Sequence, residues 1–400
     1  NIGDTLIKSS DLVRRRWLSN HFYGSTFALN YKPNNQLELS FGGAVNQYLG
    51  EHYGEVIWSQ FASTEALGDR YYFNKAKKND FNVYAKSMYT TGNWLLNLDL
   101  QYRTLHYQVE GDDDKIKDID LHDDLHFFNP KAGITYQFNK ASNVYLSYAY
   151  ANKEPVRKDY VENPLQEFPK PEQMQNIEAG YRLRNAQVNL GINAYAMFYN
   201  NQLIPTGALN QSGSAIRQNV KDSYRIGLEL DASWALSAQL RWSATAAVSS
   251  NKIKNFVEYF SIYDENWEVK EIREIHYTKS TIALSPACIL SNEFSYSPLS
   301  ALSFSLASKY VSRQYLDNTS STERSIKAFT SSNFRTNYAF KAFGLEEIAL
   351  NLSVNNIFNA KYASNGYTWG GMDEGGNRSF YNFYYPQAGT NFMLGLNLRF

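Results

Sequence analysis

A chain of 400 residues with 39 Lys+Arg against 39 Asp+Glu carries no formal net charge, which argues against nucleic acid as a partner. No run approaches the roughly 18 apolar residues of a membrane helix, so a helical membrane protein is excluded, and the single cysteine, Cys288, permits no intrachain disulfide. The mean hydropathy of −0.49 is that of an ordinary globular chain, yet 31 Tyr, 24 Phe and 7 Trp exceed what a soluble domain needs. Membrane-spanning barrels combine these traits, because lumen-facing polar residues dilute the hydropathy while aromatic girdles mark the two interfaces.

Apolar and polar residues alternate along most of the chain, the period of a strand whose two faces meet different surroundings. Phe27, Leu29 and Tyr31 pass through a PNN turn into Leu37, Leu39 and Phe41. Trp94, Leu96, Leu98 and Leu100 alternate with Asn97, Asp99 and Gln101, and Val144, Leu146, Tyr148 and Tyr150 form the next row. Val188, Leu190 and Ile192 oppose Asn189, Gly191 and Asn193; Tyr224, Ile226, Leu228 and Leu230 oppose Arg225, Glu229 and Asp231. Leu240 and Trp242 oppose Arg241 and Ser243, and Ile348, Leu350, Leu352 and Val354 oppose Asn351 and Ser353. Cys288 shares a face with Leu284, Leu290 and Phe294 and reads as a small apolar side chain. The chain closes on Phe392, Leu394, Leu396, Leu398 and Phe400, with Asn391, Met393, Gly395, Asn397 and Arg399 opposite. About ten residues is the length a tilted strand needs to cross a bilayer. A soluble sandwich would show shorter strands and a polar face richer in Lys and Glu.

Connections alternate in length. Short turns at residues 33–35, 91–93, 139–142, 184–186, 236–238, 297–301 and 343–346 separate long polar segments at 49–67, 110–123, 154–171, 201–218, 255–273, 316–327 and 359–388. Short turns on one side and long loops on the other are the asymmetry of an outer-membrane barrel, with the long loops extracellular and the C-terminus periplasmic. The count comes to about 15 strands, an odd number, whereas single-chain bacterial barrels have even numbers and cannot leave raw edges in lipid. The expected fold is therefore an all-β transmembrane antiparallel barrel, with residues 1–400 its C-terminal portion and a whole of about 22 strands. The chain begins at Asn1 without Met or signal peptide and reads as a mature or truncated product.

Two long segments carry chemistry worth weighing. The run GDDDKIKDIDLHDD places Asp112, Asp114, Asp118 and Asp120 where hard oxygen ligands would suit Ca²⁺, although the ordered spacing of a calcium loop is missing. A solvated loop is the plainer reading. His106, His122 and His126 lie near it, and scattered exposed histidines are the plainer reading there too. The last long segment sets Trp369 and Tyr381 among Gly370, Gly371, Gly375 and Gly376, a pattern that suits capture of a flat or ring-bearing ligand. Tyr384 and Tyr385 read instead as interfacial girdle. No nucleophile elbow, zinc-protease helix or phosphate loop is present, so the chain reads as no enzyme. An outer-membrane lipase or protease, and a passive porin or adhesin, are the alternatives of other classes.

Several runs resemble the barrels of TonB-dependent outer-membrane receptors of Bacteroidetes type. NVYLSYAYANKEPVRKDY resembles their mid-barrel strand and loop, and KPEQMQNIEAGYRLRN their next strand, matching at Pro171, Glu172, Asn176, Glu178, Gly180 and Tyr181. LSVNNIFNAKYASNGYTW is similar to their closing box at Asn355, Asn356, Phe358, Asn359, Lys361 and Tyr362, and YYPQAGTNFMLGLNLRF completes it. The resemblance implies a plug domain, absent from this chain, and coupling to the inner-membrane TonB complex through the missing N-terminal region. It also implies that the row from Phe392 to Phe400 is the insertion signal read by the barrel assembly machinery in contact with outer-membrane lipid. The implied cargo is a scarce small-molecule nutrient. A ferric siderophore leads, held by Trp369, Tyr381 and the loop arginines Arg157 and Arg217. Cobalamin, haem and oligosaccharide follow. The loop in which haem receptors carry a histidine has none here.

Overall fold

Alternating rows of this length pair as strands because each backbone donor and acceptor then finds a partner across the sheet. The computed structural model describes residues 11–61, 67–113, 117–161, 168–209, 215–263, 269–373 and 375–400. The strands are β1 (Leu12–Tyr31), β2 (Leu37–Ser59), β3 (Arg70–Thr91), β4 (Trp94–Gly111), β5 (Ile119–Asn139), β6 (Ser142–Lys153), β7 (Glu172–Arg184), β8 (Val188–Leu209), β9 (Ala215–Ala235) and β10 (Leu240–Tyr263). There follow β11 (Val269–Thr281), β12 (Cys288–Leu299), β13 (Leu302–Val311), β14 (Gln314–Tyr315), β15 (Ser325–Ile326), β16 (Phe329–Phe340), β17 (Glu347–Asn355), β18 (Ala363–Met372), β19 (Arg378–Pro386) and β20 (Asn391–Arg399). One short helix, α1 (Arg157–Val161), lies between β6 and β7. Hydrogen-bonded neighbours follow the order β1-β2-β3-β4-β5-β6-β7-β8-β9-β10-β12-β13-β16-β17-β20, with β11 on β10 and two-stranded ribbons β14–β15 and β18–β19. The main path thus holds the expected 15 strands, and β11 makes the sheet 16-stranded.

All seven short turns fall where the sequence put them, and local side chains make them. Asn34 Oδ1 accepts from the Gln36 and Leu37 amides at 2.9 Å each, and Asn185 Oδ1 accepts from Gln187 and Val188 at 2.9 and 2.8 Å. Ser237 Oγ does the same for Gln239 and Leu240.

The long segments differ from expectation. β2 runs to Ser59 and β3 starts at Arg70, β8 runs to Leu209, and residues 359–388 contain the ribbon β18–β19. Strand pairing satisfies the backbone whether or not one face is greasy, so the ladders continue beyond the apolar rows. The strand expected to cross from residue 274 onward is also divided, into β11 and β12. Its break contains Pro286, which has no amide to donate, and Leu284 at φ 51°. The donors around it are taken from outside the ladder: Thr281 N bonds Ser320 Oγ, Ala283 N bonds Asn318 Oδ1, and Leu284 N bonds the Tyr315 carbonyl, at 2.7, 2.8 and 2.9 Å.

The chain divides into two compact units, Asn1–Thr90 with Leu96–Lys131, and Thr91–Leu95 with Ala132–Phe400. In the first, cross-strand rungs such as Leu29–Phe41–Ala85 put apolar side chains on one face. Arg103 and Asp80 form a bidentate pair within this unit, and Leu105, Leu125 and Phe127 form a small core. In the second unit, Phe392, Leu394, Leu396 and Leu398 pair with Val354, Leu352, Leu350 and Ile348, while Met393 and Gly395 pair with Ser353 and Asn351. The apolar and polar rows of the last strand therefore continue across its neighbour on the expected faces. A core of Ile204, Val220, Ile253, Phe256 and Ile282 ties β8, β9 and β10 to the residue that follows β11. Full burial of each such side chain stabilises by roughly 1.5–3 kcal/mol.

Candidate functional site: an aromatic ribbon on a buried ion cluster

The ribbon β18–β19 has two unlike faces. On one, Tyr367 pairs with Phe383 and Trp369 with Tyr381. The Trp369 and Tyr381 rings stack at 5.8 Å, and Tyr367 lies 4.8 Å from Phe383 and 6.2 Å from Tyr385. Trp369 is 62% exposed and Tyr381 57%, so the strip is open to whatever lies above it. Stacked rings that are already ordered lose little entropy on meeting a planar ligand.

The other face is held down. A Cβ at Gly370 would collide with the Phe380 ring, and one at Gly366 would meet Leu316 at 3.1 Å, so glycine there lets the ribbon lie close to the segment beneath. Phe380 packs edge-on to Phe260 and carries the Arg324 guanidinium 4.0 Å from its centroid. Asn382 donates to the Glu323 carbonyl at 2.8 Å and the Tyr384 hydroxyl to the Ser325 carbonyl at 3.2 Å. At the turn, Asp373 accepts from the Asn377 amide and side chain at 2.8 and 2.9 Å. The Asn377 side chain, then its amide, hold the Asp373 carboxyl below its ordinary range.

Beneath the ribbon lies a buried ion cluster. Arg324 reaches Glu258 Oε1 and Asp317 Oδ2 at 2.6 Å each, with side-chain exposures of 6%, 13% and 5%. The Tyr277 hydroxyl donates to Glu258 Oε2 at 2.7 Å, and the Thr319 hydroxyl to Asp317 Oδ1 at 2.7 Å. Burial outweighs the Arg324 charge and pushes the Asp317 carboxyl up. Asn318 donates to the Pro205 carbonyl at 2.6 Å, and Asp317 fills the space that a Cβ on Gly207, at φ +100°, would need. The segment from Gln314 to Ile326 is thereby pinned to β8, β10 and β11, and the ribbon to the segment.

Of the four ligand candidates, the structure brings Trp369 and Tyr381 together. The Arg217 guanidinium is engaged twice by the buried Asp159 of α1, at 2.9 and 2.5 Å, and ties the segment after β6 to β9. Arg157 sits half-buried on α1. Asp112 accepts from Lys117 and the Asp118 amide, Asp120 is turned to His122, and Asp114 lies outside the described residues. Among the described residues, the group able to converge on a metal is Glu110, Asp120 and His122, all exposed. His106 pairs with Asp124 and His126 with Tyr102, so these histidines remain separate. Sequence reading missed Arg324, Asp317, Glu258 and Asp159. Their partners lie up to 66 residues away, with no local signal.

Comparisons place this architecture. Its backbone matches that of the ferric-catecholate import receptor Fiu of E. coli K12 in the closed form, with TM-score 0.67, 14% identity, and coverage of 96% of this chain and 55% of that one. The siderophore receptor PiuA of Acinetobacter baumannii gives 0.68 and 14%, covering 96% and 56%. The copper transporter OprC gives 0.68 and 14%, covering 95% and 56%. Identity at this level establishes the shared fold alone, and the chain spans about half the length of these structures. No curated protein sequence matches the chain. The family model for the TonB-dependent receptor-like β-barrel matches residues 3–357, and the chain therefore belongs to the TonB-dependent receptor β-barrel family.

Proposed function

We propose that the chain forms part of an outer-membrane receptor for TonB-driven uptake of a scarce nutrient, with a ferric siderophore as the cargo. The observation that carries the cargo assignment is the exposed Trp369–Tyr381 stack on a ribbon fixed from below. Rings of a catecholate-type ligand stack on such a strip, while iron stays inside its own chelator and needs no protein ligand. Solved structures of the same fold include receptors for ferric catecholates and siderophores, and also a copper transporter. TonB-dependent receptors are transporters rather than enzymes, so the reading needs no catalytic residue. It includes a plug and a TonB-contacting segment outside these residues, supported by the share of the solved structures that the chain spans.

The test uses the full-length receptor. Trp369→Ala and Tyr381→Ala should each weaken binding of a ferric catecholate by roughly 1–3 kcal/mol, as buried aromatic anchors do, measured by titration calorimetry. Expression should rise under iron limitation. Tight binding of cobalamin without a response to iron would discard the siderophore while leaving a receptor in place.

A further inference from the structure

The 400 residues hold a single Asn-Gly step, Asn365–Gly366, and it falls at the start of β18 in the aromatic ribbon. Glycine after an asparagine brings no Cβ into the path between its own amide nitrogen and the asparagine side chain. The Gly366 nitrogen lies 2.8 Å from Asn365 Oδ1 and donates to it. Asn365 Cγ is bonded to that oxygen, so it lies within about 4 Å of the nitrogen.

A strand ladder usually locks such a nitrogen in place, and here it does not. Successive residues of an antiparallel strand point their amides alternately toward and away from the partner strand. The Asp373 amide bonds the Asn377 carbonyl at 3.0 Å, and the pairing runs without a shift from Met372–Arg378 back to Asn365–Tyr385. The odd residues of β18 therefore bond β19. The Gly366 amide points away from β19, where Asn365 itself supplies the acceptor. Asn365 is exposed, so water reaches its side chain, while Gly366 is buried against Leu316, which a Cβ would meet at 3.1 Å. Asn377 and Asn382 differ on both counts. Arg378 follows the first and Phe383 the second. Their side chains donate to Asp373 and to the Glu323 carbonyl, at 2.9 and 2.8 Å.

We propose that Asn365 is a site of self-modification, at which the Gly366 nitrogen attacks the side chain and the product loosens the aromatic ribbon. Base takes the Gly366 amide proton, and the nitrogen forms a bond to Asn365 Cγ. The Cγ–Nδ2 bond then breaks, and Nδ2 leaves with a proton as ammonia, closing a five-membered succinimide. Water opens the ring at either carbonyl. Opening at Cγ gives aspartate, whereas opening at the main-chain carbonyl gives isoaspartate, with the chain rerouted through the side chain. One water is taken up and one ammonia lost, with no oxidant or reductant. Aspartate sets a negative charge opposite Tyr385, on the face that carries Tyr367 and Trp369. Isoaspartate adds one atom to the backbone, so the rungs on its two sides cannot both keep register with β19. Its consequence for ligand capture rests on the receptor reading above, and the chemistry does not.

The test incubates the full-length receptor in mild detergent and warm, mildly alkaline buffer. Peptide mass mapping with electron-transfer fragmentation follows each asparagine and separates aspartate from isoaspartate. Asn365 should convert on the order of tenfold faster than Asn377 or Asn382, whose following residues carry a Cβ. Both products should appear, and conversion should stay well ahead of Asn377 in the folded receptor as well as in urea. Hydrogen exchange should quicken across β18–β19 in proportion to the isoaspartate formed. Asn365→Gln, whose ring closure would need six members, should neither convert nor quicken over the same incubation. Asn365→Asp carries the charge without the added atom. It should leave exchange unchanged and weaken binding of a ferric catecholate, an anion, on the order of threefold. Three results would each overturn the proposal: conversion no faster than at Asn377, slowing to that level on folding, or unchanged exchange in the isoaspartate form. A parent receptor that binds no ferric catecholate would instead overturn the cargo reading, because conversion and exchange are measured without ligand.

Discussion

Arg324 is one cation set between two buried carboxylates, and removing it leaves Glu258 and Asp317 to repel each other away from water. Breaking a buried pair in this way costs about 3–5 kcal/mol. We therefore expect Arg324→Ala to open the segment from Gln314 to Ile326. Hydrogen exchange should quicken there and in β18–β19, and ligand affinity should fall although Arg324 touches no ligand. Arg324→Lys keeps the charge but loses the planar contact with Phe380, and should fall between the two. Unchanged exchange in Arg324→Ala would show that the ribbon holds itself. Residue identity was legible only in part. Trp369 and Tyr381 stood out because aromatics between glycines are unusual in a loop. Arg217 was legible as a loop cation but its partner was not, because nothing near it in sequence announces Asp159, 58 positions away.

The pinned segment is also where pH should act on a whole element. The Asp317 carboxyl is raised by burial, so the folded state binds more protons than the unfolded chain between the ordinary carboxylate range and its own higher value. Stability from this group is thus fullest below the unfolded value and is lost as pH rises through the folded one. Acidification from neutrality should tighten the segment. The expected reading is slower exchange at the Ala283 amide, which Asn318 holds, after correction for intrinsic rates. Asp317→Asn mimics the protonated form and should flatten the dependence, whereas faster corrected exchange on acidification would contradict the assignment. Elements were legible where the cause was local. Asn and Ser turns and period-two rows marked seven hairpins, but not the extensions of β2, β8 and β10, whose ladders run on into the long segments. The break between β11 and β12 was hidden because distant Asn318 and Ser320 take its amides.

Across the whole chain, the last strand completes rungs that neighbouring strands begin. Leu396 faces Leu350, which faces Tyr338 in β16, so an apolar row crosses three strands at one level. Arg399 lies on the other face and pairs with Glu346 at 3.0 Å, with both side chains more than half exposed. An arginine on the apolar row near mid-membrane costs about 2–4 kcal/mol, whereas loss of an exposed ion pair costs about 0–1 kcal/mol. In the full-length receptor, Leu396→Arg should therefore reduce the folded, heat-modifiable population in the outer membrane, and Arg399→Gln should leave it unchanged. Phe400 makes little packing contact, being 87% exposed. Any drop in outer-membrane level on deleting it would therefore come from recognition during insertion rather than from lost core. Refolding from urea into detergent separates the two: it should spare the Phe400 deletion and still penalise Leu396→Arg. Equal effects from all three changes would mean that the faces of β20 have been assigned the wrong way round.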